Sequence, residues 1–323
     1  MEITKAKAKL WSKLGSRAVF GMAITEFADE YKNFYAMSAD LCRSSGLSRF
    51  QEKYPERFIN VGIAEQNMVG VAGGLAKDGT MIFATSFAPF ITMRACEQVR
   101  MNLGYMQLNV KIVGLGSGLI MAHLGNSHYG IEDISIIRAI PNITIISPAD
   151  CGEIFKVVEA VLNYPKPTYI RLTGGVNNPI VYKNDFNFEI GKANVLCEGN
   201  DVAVIATGTM VYQSLKAAEI LKENNISATV IDMHTIKPLD TNCLDKLLAY
   251  KLIVTVEEHT IVGGLGSAVA EYLAPKKLKP PQLLIGINDE FPLAGSYDYL
   301  LAQCQLSPEK IAERIKNHGQ NYF

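Results

Sequence analysis

The chain has 323 residues, 48% of them apolar, and a formal net charge of -1. That length accommodates two domains of ordinary size with buried cores, and the near-neutral balance gives no reason to expect nucleic acid or an anionic membrane as a partner. The six cysteines, Cys42, Cys96, Cys151, Cys197, Cys243 and Cys304, form no Cys-x-x-Cys pair, so neither a zinc cage nor a disulfide framework is expected and a reducing cytoplasm is the simplest home.

The opening run from Met1 to Lys7 is followed by no apolar h-region, so no signal peptide is read there. From Asn33 onward, β-rich runs alternate with helical ones. The spacing predicts strands over Asn33 to Met37, Met81 to Ala84, Val110 to Val113, Ile143 to Ile146 and Thr168 to Leu172. Between them fall helices over Ala64 to Lys77, Met93 to Leu103 and from Pro148, where Ser147 reads as N-cap, Pro148 as first residue and Asp150 as the acid of the first turn. The stretch from Ile112 to Ile131 lacks Asp, Glu, Lys and Arg, yet it holds five glycines and two histidines and is no bilayer span. Strands interleaved with helices in this way imply a parallel sheet covered on both faces.

Between Gly174 and Gly191 periodicity gives way to turn formers, as in an interdomain connection. A second α/β block follows. Its strands are expected at Val202 to Ala206, Ala228 to Asp232, Leu252 to Glu257 and Gln282 to Ile287, and its helices at Val211 to Asn224, from Asn242, after Gly263 to Ser267, and at Ser307 to Lys316. The fold class read from this is α/β with two doubly wound domains: residues 1–178, a linker at 179–191, and residues 192–323.

In such sheets ligands sit beyond the carboxyl ends of the strands, where loops meet helix N-termini. The run Arg57 to Asn67 delivers one carboxylate, Glu65, from a β-rich segment into the first turn of an apolar helix, which makes Glu65 the leading catalytic candidate. The loop Thr85 to Phe90 and the turn Gly125-Asn126-Ser127-His128 lie at the same edge.

The segments Arg57 to Lys77, Phe87 to Gln98, Ser127-His128 with Glu132-Asp133-Ile134, Pro141-Asn142-Ile143, Ser147 to Asp150, Tyr169 to Leu172, and Glu257-Glu258-His259 with Gly263 to Gly266 occur in order along nearly the whole chain. Together they resemble the C-terminal two-thirds of thiamine-diphosphate-dependent transketolases, and most closely the small subunit of two-chain versions. The resemblance implies a pyrimidine-binding domain followed by a transketolase C-terminal domain. It assigns Glu65 to hydrogen bonding with the cofactor's pyrimidine nitrogen, and Phe87, Phe90, Met93 and Asp40 to the cofactor's surroundings. His128 is assigned to the ketose carbonyl region. Arg17, Ser44 and Arg171 are assigned to the phosphate of a sugar substrate.

One departure stands out within that likeness. Where the family carries Gly-Glu-Asp-Gly before the histidine, this chain has Ala122-His123-Leu124-Gly125. Loss of an acidic partner for a sugar hydroxyl points to a different or less hydroxylated substrate, with His123 offering a polar contact in its place. No Gly-Asp-Gly occurs in the sequence, so the diphosphate and Mg2+ are expected on a separate partner subunit, in an α2β2 heterotetramer acting on sugars or sugar phosphates. Two alternatives share the fold: the β subunit of a 2-oxoacid dehydrogenase, against which Arg17, Arg171 and the Ser-His turn argue, and a non-catalytic transketolase-like subunit.

Overall fold

The computed structural model describes residues 2–319 and 322. The described residues hold twelve strands: β1 Phe34–Ser38, β2 Phe58–Asn60, β3 Met81–Phe87, β4 Val110–Leu115, β5 Thr144–Ile146, β6 Thr168–Arg171, β7 Asn194–Cys197, β8 Val202–Ala206, β9 Ala228–Asp232, β10 Thr235–Lys237, β11 Leu252–Thr260 and β12 Gln282–Ile287. They form a seven-stranded sheet in the order β10-β5-β6-β4-β3-β1-β2 and a five-stranded sheet in the order β12-β11-β8-β9-β7. The first is parallel except for β10, and the second parallel except for β7. The expected α/β architecture is therefore present in two domains, with one exchange across the boundary. The antiparallel edge strand of the first sheet, β10, comes from the second half of the chain.

Neighbouring residues of β3 explain why the strands read as continuous apolar runs. Phe83 packs with Phe20 and Phe34 on one face, against the helices Ser16–Phe27 and Cys151–Leu162, whereas Ile82 and Ala84 pack on the other against the helix Glu65–Lys77. A strand buried on both sides has no polar face to alternate with. The chain before β1, where sequence periodicity points to no element, forms two helices, Lys5–Leu14 and Ser16–Phe27. The first is docked by Trp11, whose ring stacks on Phe155 with centroids 4.9 Å apart.

The helix expected from Pro148 starts later. Its first residue is Cys151, and Asp150, not Ser147, is the cap, accepting from Glu153 N at 2.9 Å. The second oxygen of Asp150 accepts from Val181 N and Tyr182 N, so the cap also pins the interdomain segment. The helix expected over Met93 to Leu103 is interrupted by two wide π-helical turns, Phe90–Arg94 and Arg100–Tyr105, flanking a single α turn. Such turns recur at functional sites because they re-aim side chains. No helix among the described residues is long and apolar enough to cross a membrane.

Candidate active site

The carboxyl edge of the first sheet gathers loops after β1, β2, β3 and β4. After β2 the chain turns through Gly62, at φ 74°, and enters the helix at Glu65. An acid in this first turn is favoured by the helix dipole. The side chain is only 2% exposed, and both oxygens are engaged: Oε1 accepts from Ser86 Oγ at 3.0 Å and Oε2 from Arg94 Nη1 at 2.7 Å. Ser86 sits near the end of β3, and Arg94 closes the first π-helical turn.

Arg94 does more than pair with Glu65. Its guanidinium lies over the Phe90 ring, 4.1 Å from the centroid. Phe90 meets Phe87 edge-on at 6.0 Å, and the His128 ring meets Phe90 at 5.3 Å and Phe87 at 5.8 Å. Ser127 Oγ lies 3.0 Å from His128 Nδ1, which leaves Nε2 available. The structure thus assembles Glu65, Phe87, Phe90 and His128, four sequence-nominated residues from three separate loops, around Arg94 and Ser86. Met93 is 40% exposed, and His123 and Leu124 are exposed as well.

The loop after β1 carries the next group. Asp40, at φ 58°, is exposed, and it is tied to the end of β2 by its amide donating to Asn60 Oδ1 at 3.0 Å and by Asn60 Nδ2 donating to Asp40 Oδ1 at 3.2 Å. Ser45 Oγ and Thr85 Oγ1 lie 3.0 Å apart, which anchors the loop to β3 one residue from Ser86. Ser44 precedes this anchor in the same loop, and with Arg17 it lines a cavity of about 320 Å³.

Arg171 does not join them. It is fully buried, with Nε donating to Asp133 Oδ2 at 2.8 Å and Nη2 donating to the carbonyls of Gly130 and Glu258. Burial opposes its charge, and Asp133 with Tyr169 outweighs that, holding its pKa above the ordinary value. The expectation that Arg171 grips a phosphate is corrected: position at a strand end suits a ligand arginine, but this one is spent inside the protein, joining the two halves of the chain.

Comparison with known proteins identifies the family. Two family models match: transketolase, pyrimidine binding domain, over residues 12–176, and transketolase, C-terminal domain, over residues 191–311. The chain belongs to the transketolase family. It is 44% identical over 303 residues to a Methanocaldococcus jannaschii chain provisionally named a transketolase C-terminal section, covering 93% of this chain and 95% of that one. It is 37% identical over 302 residues to one of the subunits of the apulose-4-phosphate transketolase of Phocaeicola vulgatus, covering 93% and 96%. Among solved structures, a split gene transketolase described as an inactive beta4 tetramer superposes with a TM-score of 0.87 at 37% identity, covering 94% of this chain and 98% of that one.

In this member of the transketolase family, several family-like motifs prove to be architecture. Glu258 is buried, and its carboxylate accepts from Leu119 N, Thr209 Oγ1 and Tyr297 OH at 2.6, 2.6 and 2.7 Å, fastening the loop that leads to His128 onto the second domain. Glu257 accepts from Leu265 N and Gly266 N at 2.7 and 2.8 Å, so a carboxylate already caps the helix that opens after the glycine-rich turn. His259 is buried beside Asp133 and Glu257, with burial pushing its pKa down to about 4, and it stays neutral at physiological pH. The site residues that sequence reasoning missed are Arg94 and Ser86. Arg94 lies inside a quoted motif, but only the π-helical turn reveals that it folds back onto Glu65.

Proposed function

We propose that this chain is the pyrimidine-binding subunit of a two-chain transketolase, moving a two-carbon ketol unit from a ketose to an aldose with thiamine diphosphate as cofactor. The observation that carries this reading is the buried Glu65 carboxylate set beside the Phe90 ring, with one planar cation, Arg94, touching both. A flat heteroaromatic ring with a basic nitrogen needs an aromatic wall and a buried hydrogen-bonding carboxylate. Phe90 and Glu65 supply these, and the guanidinium already makes both kinds of contact that such a ring requires.

When bound, thiamine diphosphate supplies the carbon nucleophile and electron sink for breaking and making the bond between sugar carbons. The residues of this chain bind, orient and move a proton. Glu65, held in place by Ser86, would exchange a proton with the pyrimidine nitrogen of the bound cofactor. Phe87 and Phe90 would hold the ring by stacking and keep water from it. His128, oriented through Nδ1 by Ser127, turns Nε2 to the carbonyl end of the sugar. Asp40 keeps the loop after β1 on the end of β2, Met93 flanks the ring site, and Arg17 with Ser44 receives the far end of the substrate. His123 and Leu124 replace the family's acidic pair, so an acidic partner for a sugar hydroxyl is missing and His123 offers a polar contact in its place, which suits a substrate other than the common pentose phosphates.

The sequence has no Gly-Asp-Gly, so the diphosphate and its Mg2+ belong on a partner chain, in an α2β2 enzyme of the cytoplasm with active sites between subunits. The solved relative that assembles from β chains alone is described as inactive, in keeping with a site that needs both chains. Co-expression with a partner bearing the diphosphate-binding domain should yield ketol transfer that depends on thiamine diphosphate and Mg2+. Glu65→Gln should cost at least about 100-fold in turnover while the complex still assembles. Unchanged turnover would remove Glu65 from the mechanism.

A further inference from the structure

Every residue nominated from sequence for the site lies in the first domain, yet the loop that carries His128 is finished by the second. That loop leaves β4 and is closed at its base by Gly118 and Gly130, whose amides donate to each other's carbonyls at 2.8 and 3.1 Å. Its tip, Ala122–Ser127, is a pair of tight helical turns broken at Gly125, where φ is 69°. The amides of His128 and Tyr129 both donate to Gly125 O, at 2.9 and 3.2 Å, so the backbone beneath the imidazole is set by where Gly125 sits. Turns this tight have poor hydrogen-bond geometry. The tip therefore depends on what it is tied to.

It is tied to the segment between β12 and the helix Tyr297–Gln303 of the second domain. Asn126 Nδ2 donates to Pro292 O at 2.9 Å. Tyr129 is buried, and its hydroxyl donates across the tip to Ala122 O at 2.7 Å while lying 3.3 Å from Leu293 O. A Cβ on Gly125 would stand 3.5 Å from Ala294 Cβ, so the backbone of the tip rests on that residue. The side chains of Phe291 and Leu293 are 72% and 70% exposed, so the segment meets the tip with carbonyls rather than with those side chains. Its far end is fixed where Tyr297 OH donates to Glu258, the carboxylate that also accepts from Leu119 N at the start of the loop. The second domain thus clamps the loop twice, at its root through Glu258 and at its tip through Pro292 and Leu293.

We propose that Tyr129 is a positioning residue for His128: with Asn126 it latches the tip onto Pro292 and Leu293, so that the second domain sets where the imidazole stands against Phe87 and Phe90. A hydroxyl shared between two carbonyls fixes both the width of the tip and its seat. Phenylalanine would fill the same volume and do neither, leaving both carbonyls without that donor. An imidazole that meets a substrate carbonyl has to be held within hydrogen-bond reach, and a misplacement of about 1 Å is enough to cost activity. The assignment rests on the transketolase reading for the reaction, but the latch itself is tested without it.

The experiment has two arms. In the first, the five histidine rings of the full chain alone are followed by NMR, the His128 signal being assigned from its loss in His128→Gln. The rings of Phe87 and Phe90 displace that signal from the position of a free imidazole. Tyr129→Phe and Asn126→Ala should each move it toward the free position and leave His318, on the last helix, unmoved. Asn126 is exposed, so its variant carries the test should Tyr129→Phe not fold. In the second arm, the reconstituted two-chain enzyme is assayed for ketol transfer. Tyr129→Phe should lower kcat about tenfold, with KM for the sugars and affinity for thiamine diphosphate little changed. In an enzyme already carrying His128→Gln, Tyr129→Phe should cost less than about twofold more, because residues that act as a unit are not additive. A His128 signal that neither variant moves, or a Tyr129→Phe loss that multiplies in full onto that of His128→Gln, would overturn the latch. A wild-type complex without ketol transfer, whose His128 signal still responds to both variants, would instead overturn the transketolase reading and leave the latch standing.

Discussion

Arg171→Met separates a structural arginine from a substrate-binding one. In the wild-type interior Asp133 is fully buried, and its Oδ2 accepts from Arg171 Nε at 2.8 Å and from Tyr169 OH at 2.6 Å. Methionine matches the volume of the arginine stem but removes the cation. That leaves a carboxylate with one neutral hydroxyl partner, and it strips a donor from the carbonyls of Gly130 and Glu258. Removing one member of a buried pair costs about 3 to 5 kcal/mol, because the remaining charge stays desolvated. Against a typical total of about 5 to 15 kcal/mol that is a large fraction. With a urea slope of about 2 to 3 kcal/mol per molar, the unfolding midpoint should fall by on the order of 1 to 2 M. Circular dichroism through a urea series measures the shift. Asp133→Leu combined with Arg171→Met should regain part of the loss, since an apolar pair leaves no uncompensated charge. A soluble Arg171→Met protein with an unchanged midpoint but a KM for phosphorylated sugar raised tenfold or more, in the two-chain enzyme, would refute the reasoning and restore Arg171 to the substrate.

Two further outcomes follow from the packing and the buried acids. Gly21→Ala places a methyl against the Gly46 backbone, which has no side chain to move aside; it should cost about 1 to 3 kcal/mol and, by displacing the loop of Arg43 and Ser44, raise substrate KM in the same variant. A changed midpoint with unchanged KM would show that the loop does not depend on that contact. At the domain boundary, the Glu153 and Asp232 carboxyls are both buried, and each has one oxygen without a hydrogen-bond partner; burial pushes both up, Asp232 to about 7, so the folded chain keeps a proton that the unfolded chain releases above about 4. Because the folded state binds more protons between those values, this contribution is full below about pH 4 and is lost as pH rises through about 7. Asp232→Asn should flatten that part of the stability profile, read as urea midpoints at about pH 5 and about pH 8, and an equal slope in both proteins would sink the retained proton.

Much of the frame was legible because it rests on periodicity. The strands β8, β9 and β12 match the predicted ranges residue for residue, since short apolar runs bounded by turn formers and separated by helical patterns leave few other arrangements. Glu65 was legible because a lone acid entering an apolar helix from a strand has one geometry. The two N-terminal helices were not, since Lys5–Leu14 alternates alanine and lysine and is held chiefly through Trp11. The edge strand β10 was missed for a related reason. Its three residues pair with β5 in the other half of the sequence, and no local pattern records a partner so distant.

The arginines mark the sharper limit. Arg171, Arg94 and Arg43 have the same side chain and each follows or flanks a loop at the carboxyl edge of one sheet, yet they have three different fates. Arg171 is neutralised by Asp133, a residue 38 positions away, and so belongs to the fold. Arg94 is turned by a π-helical stretch onto Glu65, 29 positions away, and so belongs to the ring site. Arg43 meets no acid among the described residues and faces a cavity beside Arg17. What decides between them is whether an anion has been supplied from within the chain, which is a property of the tertiary arrangement. Where the chain supplies one, the arginine stabilises structure; where it does not, in a cavity at the carboxyl edge of an α/β sheet, the cation is left open to a ligand.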